Sequence, residues 1–342
     1  MRRAGGLWPR IADLSNLLRA AQVAARGKRR MPGVARFLER AEPECLTILR
    51  RLEDGSWQPG RPTRFLVHDP KTRMISAAPF PDRVVHHALI DPLESIFERR
   101  MIDGSYACRR GKGQHAAVRE AQRLVRRHER FLKMDIRKCF ESIRHDVVMS
   151  TLRRILKDRK VLDLCERILA EEEGGVGLPI GNLSSQWFAN LVLDRLDHFV
   201  KERLRVPGYV RYMDDFVLFC DDIDALRANE QDVVRFLKDE LALIPKEKAT
   251  MRAPVGSGLP FLGFRIYRRT VRVRPENLRR SLRRFRWRER QFENGNIDER
   301  ELAECQRSVI AHLATGDTLG LRRALFHPRK EGTKAKAAPA IA

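Results

Sequence analysis

The chain has 342 residues, with 68 Lys plus Arg against 45 Asp plus Glu and a formal charge of +23. That length allows two or three packed subdomains, each with its own core, and that charge exceeds what solubility requires, so a polyanionic partner is expected. Nucleic acid is favoured over a membrane surface: neutralised phosphates release condensed counterions, and no run approaches the roughly 18 apolar residues of a spanning helix.

From the N-terminus, Met1 to Arg10 is charged but is followed by no apolar core of a signal peptide, so a cytoplasmic protein is expected. Apolar residues recur at helical spacing from Ile11 to about Leu52, interrupted at Gly27-Lys28-Arg29-Arg30-Met31-Pro32-Gly33. From Arg64 to Ala77 the period shortens around His68-Asp69-Pro70-Lys71-Thr72-Arg73, which predicts a hairpin with a basic tip. A helix follows Pro81-Asp82-Arg83, with Val84, Val85, Ala88, Leu89, Leu93 and Ile96 on one face. His86 and His87 are neighbours that point in different directions on such a helix and read as structural.

Phe131 to Asp135 reads as a short buried strand, Ile136 to Ser142 as a turn, and two helices run on to about Glu172. Ser184-Ser185 is expected to cap a helix carrying Phe188, Val192, Leu196 and Phe199. Val210 to Met213 and Phe216 to Cys220 are apolar strands meeting at Asp214-Asp215, and Leu226 to Leu241 is amphipathic. Helices and short strands alternate without a βαβ rhythm, which predicts an α+β fold. After Tyr267 an arginine-rich helix interleaves Arg279, Arg280, Arg283, Arg284, Arg286, Arg288 and Arg290 with Leu282, Phe285 and Trp287, and the stretch beyond Pro328 has little to bury and is expected to be disordered. The six cysteines stand singly, with no Cys-x-x-Cys pair and no zinc-ligand spacing to histidine, so buried free thiols are expected.

Two acids side by side at a hairpin turn raise each other's pKa unless a cation neutralises them. Asp-Asp alone reads as readily as a solvated turn; Asp135, at the end of another apolar strand, shifts the balance. Carboxylates at strand ends in a basic protein can clamp two divalent ions about 4 Å apart, which is what phosphoryl transfer needs beyond alignment.

At these residues the sequence resembles reverse transcriptases over nearly its full length. Tyr212-Met213-Asp214-Asp215 is identical to that family's catalytic motif, and Phe131 to Phe140 resembles the strand with the first catalytic aspartate and, five residues later, the aromatic sugar gate. Pro260-Phe261-Leu262-Gly263-Phe264 resembles the primer-grip turn, and Lys248 stands where the family keeps a lysine after its palm helix. Leu178-Pro179-Ile180-Gly181-Asn182-Leu183-Ser184-Ser185-Gln186 and Ser105 to Gly113 are similar to diversity-generating retroelements in particular.

The resemblance implies a right-hand polymerase: fingers and palm with an N-terminal helical extension over 1–255, primer grip and helical thumb over 256–327, and a basic tail over 328–342. It implies catalysis by Asp135, Asp214 and Asp215, which with Ile136 would hold two Mg2+ ions, Mn2+ being a substitute. Nucleotide binding falls to Lys71, Arg73, Phe140, Ile180, Gly181 and Lys248, the primer grip to Phe261, Leu262 and Gly263, and phosphate contacts to Arg283, Arg286 and Arg290. For several of these a bland reading stands beside the functional one: a solvated tip for Lys71 and Arg73, core for Phe140, an ordinary loop for Gly181, a solvated face for the arginines. The implied product is error-prone, adenine-mutagenic cDNA copied from a template-repeat RNA, with dNTPs, template RNA, primer and a small basic, oligomeric accessory protein as partners. Two alternatives remain: a defence-associated or retron-type enzyme, and a non-catalytic RNA-binding protein on a polymerase fold.

Overall fold

The computed structural model describes residues 3–68 and 72–326. It opens with the helices Trp8–Ile11, Leu14–Ala24, Pro32–Glu39 and Ala41–Glu53. Asp13 starts the second of these by accepting a hydrogen bond from the Asn16 amide at 2.9 Å, one of the donors a first turn leaves open. The buried stripe Leu17, Ala20, Ala21 and Ala24 packs that helix on Phe80–Glu98. Between them runs the antiparallel hairpin of β1 (Thr63–His68) and β2 (Thr72–Ala77). Lys71, at its predicted basic tip, lies outside the described residues, as does the predicted tail from 328.

At the centre is an antiparallel sheet of β3 (Arg130–Asp135), β4 (Gly208–Tyr212), β5 (Asp215–Cys220) and β6 (Met251–Pro254), in the order β4-β5-β3-β6. Alternate residues go to opposite faces. Leu132, Met134, Phe216 and Leu218 join one core with the helices Phe80–Glu98, Leu183–His198 and Ile223–Leu241. Phe131, Val210, Val217 and Phe219 join a second core with the helix Gln114–Arg127 and a small sheet, β7 (Leu259–Phe261), β8 (Phe264–Ile266) and β9 (Val271–Val273). Cover on both faces is why β5 reads as a continuous apolar run from Phe216 to Phe219, and β3 as one broken only by Lys133, each fully buried apolar side chain contributing roughly 1.5–3 kcal/mol. The expected boundary after residue 255 falls within this second core, where Val255, Leu259 and Phe261 pack with Phe131.

The α+β architecture is the one expected, with local differences. Ser184 and Ser185 do not cap a helix: it begins at Leu183 with Asn182 at the N-cap, and both serines are buried in its first turn. β4 ends at Tyr212 because Met213 adopts a left-handed backbone, φ 53°. The predicted helix from Leu226 begins at Ile223, where Asp222 caps the Asp224 amide at 2.8 Å. Helix Gln114–Arg127 and the three-residue strands β7–β9 had no sequence expectation. The arginine-rich helix spans Pro275–Glu293 and packs on Glu299–Ala314, which opens with a capping box of Asp298 and Glu301. Cys108 is exposed rather than buried, although all six cysteines are free. His86 is buried, and burial pushes its imidazole down to about 3, in keeping with a structural role. Among the described residues no helix is long and apolar enough to cross a membrane.

Candidate active site

The pairing of β3 with β5 sets Asp135 opposite Asp215 and Lys133 opposite Val217. Lys133, Asp135 and Asp215 therefore share one face of the sheet, and the Lys133 Nζ reaches diagonally to Asp215 Oδ1 at 2.7 Å. Asp214 sits in the turn that follows Met213, and its carbonyl accepts from the Ile136 amide at 3.2 Å, tying the end of β3 to the turn. A left-handed methionine costs about 1 kcal/mol or more, which the surroundings must offset.

Behind the turn, Arg211 supplies that support. Its side chain is fully buried and makes a two-pronged ion pair with Asp197, Nε to Oδ1 at 2.7 Å and Nη2 to Oδ2 at 2.6 Å. It also donates to Asn190 Oδ1 and Ser105 Oγ, each at 3.0 Å, and to the Met213 carbonyl at 3.3 Å. The Tyr209 hydroxyl donates to Asp197 Oδ1 at 2.7 Å. The segment from Ser105 to Gly113 braces the same strand: the Tyr106 amide donates to the Arg211 carbonyl at 2.9 Å, the Ala107 carbonyl accepts from Asn190 at 2.9 Å, and Arg109 pairs with Glu98 at 2.8 Å.

Burial pushes the Asp215 carboxyl up to about 6; Lys133 opposes the rise, and Asp135 and Asp214 add to it. At 2.7 Å the Lys133 ammonium is the partner of that buried Asp215 Oδ1, supplying both charge and a hydrogen bond. Among the described residues no group of three or more His, Cys, Asp or Glu stands, as it is, in an arrangement that could hold a metal ion. In kind, however, the donors suit a hard divalent cation: carboxylates of Asp135 and Asp215 opposite each other on neighbouring strands, with a lysine as counter-ion to the second.

Two clefts meet at Asp215. One, of about 580 Å³, is lined by Asp135, Ile136, Asp214 and Asp215 together with Arg73, Phe140, Ile180 and Leu262. The other, of about 920 Å³, shares Arg73, Tyr212, Asp215 and Leu262 with it and extends past Gly263 to Arg274, Arg280 and Arg284. Phe140 is half-buried, and its carbonyl accepts from the Leu178 amide at 2.7 Å, which joins the short helix Cys139–Ser142 to the Leu178–Asn182 loop. Gly181 has φ +122°, and a Cβ there would stand 3.2 Å from Ile75 Cγ2 and 3.3 Å from the Ser76 carbonyl, so the loop seats closely on β2. Leu262, at φ 49°, and Gly263 make the turn from β7 to β8, and Gln114 donates to the Leu262 carbonyl at 2.8 Å. Phe261 is buried beneath it.

Other expected site residues fall elsewhere. Lys248 lies outside both clefts, whereas Lys246, whose amide donates to the Asp135 carbonyl at 2.7 Å, lines the first. Arg283, Arg286 and Arg290 are exposed and off the groove, where Asn277, Arg280 and Arg284 face inward instead. Those three recur at helical spacing, but so do the exposed arginines, and the sequence carries no signal to choose between the faces. Lys133 and Arg211 each lie inside a strand that reads as apolar, and the sequence carries no local signal of the part either plays here.

Residues 67–266 match the family described as reverse transcriptase (RNA-dependent DNA polymerase). Among curated relatives, the group II intron-encoded protein LtrA of Lactococcus lactis subsp. cremoris is 27% identical over 171 residues, 47% of this chain and 28% of that protein. Nuclear intron maturase 1, mitochondrial, of Arabidopsis thaliana is 38% identical over 90 residues, 26% of this chain and 13% of its own length. Protein YkfC of Escherichia coli (strain K12) is 24% identical over 275 residues, 66% of this chain and 72% of that protein. The chain thus spans less than a third of the length of the first curated relatives it matches. A solved structure of apo telomerase from Candida tropicalis aligns with a TM-score of 0.49 at 10% identity, over 63% of this chain and 49% of that one.

Proposed function

The chain belongs to the reverse transcriptase family, and on that premise we propose that it is an RNA-directed DNA polymerase whose reaction centre is Asp135, Asp214 and Asp215. The observation that carries this reading is a cleft of nucleotide size lined by all three carboxylates that meets, at Asp215, a second cleft lined by Arg274, Arg280 and Arg284. Fingers and palm would occupy the chain to residue 255, and primer grip and thumb 256–327.

Asp135, Asp214, Asp215 and the Ile136 position would hold Mg2+, which when bound neutralises charge developing on the transferred phosphate. The chain's own groups do the rest. Arg73 meets the triphosphate, Phe140 stands against the sugar, Leu262 and Gly263 carry the primer end, and Arg280 and Arg284 contact phosphates along the groove. For Lys71, Lys248, Arg283, Arg286 and Arg290 the sequence resemblance is the support.

The finer reading is error-prone cDNA synthesis from a template-repeat RNA in a diversity-generating retroelement, helped by a small basic accessory protein. The motif around Ile180 supports it, because an apolar side chain in the nucleotide cleft offers no hydrogen bond to stiffen base selection. Similarity to an intron maturase and to a group II intron-encoded protein favours a second reading, a polymerase serving an intron-like or retron-type RNA. Primer extension on an RNA template with Mg2+ and dNTPs tests the polymerase: Asp135→Asn and Asp214→Asn should lose on the order of 1,000-fold in rate with melting unchanged. Full-rate synthesis by either variant overturns the assignment, and sequencing the products of the wild type decides between adenine-directed error and faithful copying.

A further inference from the structure

The nucleotide side of the first cleft is held from behind by a short acidic segment. Glu172 Oε2 pairs with Arg64 of β1 at 3.2 Å, and Glu171 Oε2 accepts from Asn182 Nδ2 at 3.2 Å. Asn182 is 3% exposed and is the N-cap residue of the helix Leu183–His198. One residue before Gly181, the Ile180 carbonyl accepts from the Ser76 amide of β2 at 2.9 Å. Adjacent residues of one segment therefore reach both the hairpin and the loop that seats against it.

The surroundings make Glu171 an unusual choice for a mere prop. Its Oε1 is buried without a hydrogen-bond partner, as is Ser76 Oγ. Facing it are Asp82 from the helix Phe80–Glu98, itself buried and accepting from the Gly60 amide at 2.7 Å, Glu172 from its own segment, and Arg64 from β1. Burial first, then Asp82 and Glu172, push the Glu171 carboxyl up to about 7, with Asn182 and Arg64 opposing. An apolar or amide side chain would fill this place without that penalty, so what the carboxyl contributes is a strong acceptor for Asn182.

We propose that Glu171 is a positioning residue of the polymerase: by holding Asn182 it sets the Ile180–Gly181 loop against β2 and so fixes the fit of the incoming nucleotide. The inference rests on the polymerase reading for its kinetic consequence, but the contact itself is independent of it. Ionisation of Glu171 strengthens the bond from Asn182, so loop placement varies with pH near neutrality.

Three readouts on the full chain test this, using Glu171→Ala and Glu171→Gln. Hydrogen–deuterium exchange at one pH should show faster exchange in peptides spanning the Leu178–Asn182 loop for Glu171→Ala, by about fivefold, the weight of one lost hydrogen bond, while Glu171→Gln, which keeps an acceptor, stays near wild type. In primer extension the dNTP KM of Glu171→Ala should rise several-fold with a smaller change in kcat. Across about pH 6 to 8 the dNTP KM of Glu171→Gln should vary less than that of the wild type, because the titrating group is gone. Unchanged exchange in the loop overturns the proposal, as does a loss of kcat and KM together with exchange raised throughout the core, or a Glu171→Gln profile that keeps the wild-type pH dependence. A wild type that copies no RNA would sink the polymerase reading while the exchange result still decides the Glu171 contact.

Discussion

Replacing Arg211 by Met tests whether the network behind the Met213–Asp214 turn is structural to the degree its burial implies. The guanidinium is 0% exposed, as is its partner Asp197, and it serves four acceptor groups: Asp197, Asn190, Ser105 and the Met213 carbonyl. Methionine fills much of the space but leaves the Asp197 carboxylate buried with the Tyr209 hydroxyl still donating to Oδ1 and the guanidinium's donors gone. Breaking one side of such a pair costs about 3–5 kcal/mol, a large share of the roughly 5–15 kcal/mol that holds a domain together. For a chain of this size that is a fall in Tm of about 5–10 °C. The double variant Arg211→Met with Asp197→Asn should melt above Arg211→Met alone, because removing the stranded charge recovers part of the loss. Polymerisation should fall further than stability in both, since the Met213 carbonyl loses its donor and the left-handed turn its anchor. A single variant that melts within about 1 kcal/mol of wild type, or a double variant in which the two losses simply add, would refute the reasoning.

Lys133→Met removes the counter-ion of Asp215, so the protein should melt lower in a chelator and regain more stability on adding Mg2+ than the wild type does, which thermal melts with and without the ion will show. His198 has its imidazole raised to about 10, chiefly by its hydrogen bond to Asp194, so its contribution is present in full below about pH 6.5 and is lost as pH rises through about 10. The Tm difference between wild type and His198→Gln should therefore be largest near neutrality and below, and close toward alkaline pH. Phe140→Val should admit ribonucleotides, read as a lower ratio of dNTP to rNTP incorporation with activity retained; unchanged discrimination would make Phe140 core.

The proposed reaction centre was legible in the chain because its carboxylates sit at the ends of apolar runs. A strand buried on both faces has to read as continuous valine, leucine and phenylalanine, so Asp135, Asp214 and Asp215 stand out where such runs stop. The β1–β2 hairpin strands, the helix Pro275–Glu293 and the α+β class follow from the same short-range signals of period and turn chemistry. Everything that depends on which residues meet across the fold was decided by packing. The β3–β5 register turned Lys133 toward Asp215, the burial of Arg211 converted a strand cation into the support of a turn, and the rotation of one helix sent Arg280 and Arg284, rather than Arg283 and Arg286, into the groove. Three-residue strands such as β7–β9 carry too few alternations to be read as strands, and exist because the second core needs a cover. Local sequence determines what a residue can be within a few neighbours; a contact such as that of Glu171 with Asn182 exists only once elements far apart in the chain, each buried for its own apolar face, have brought the two together.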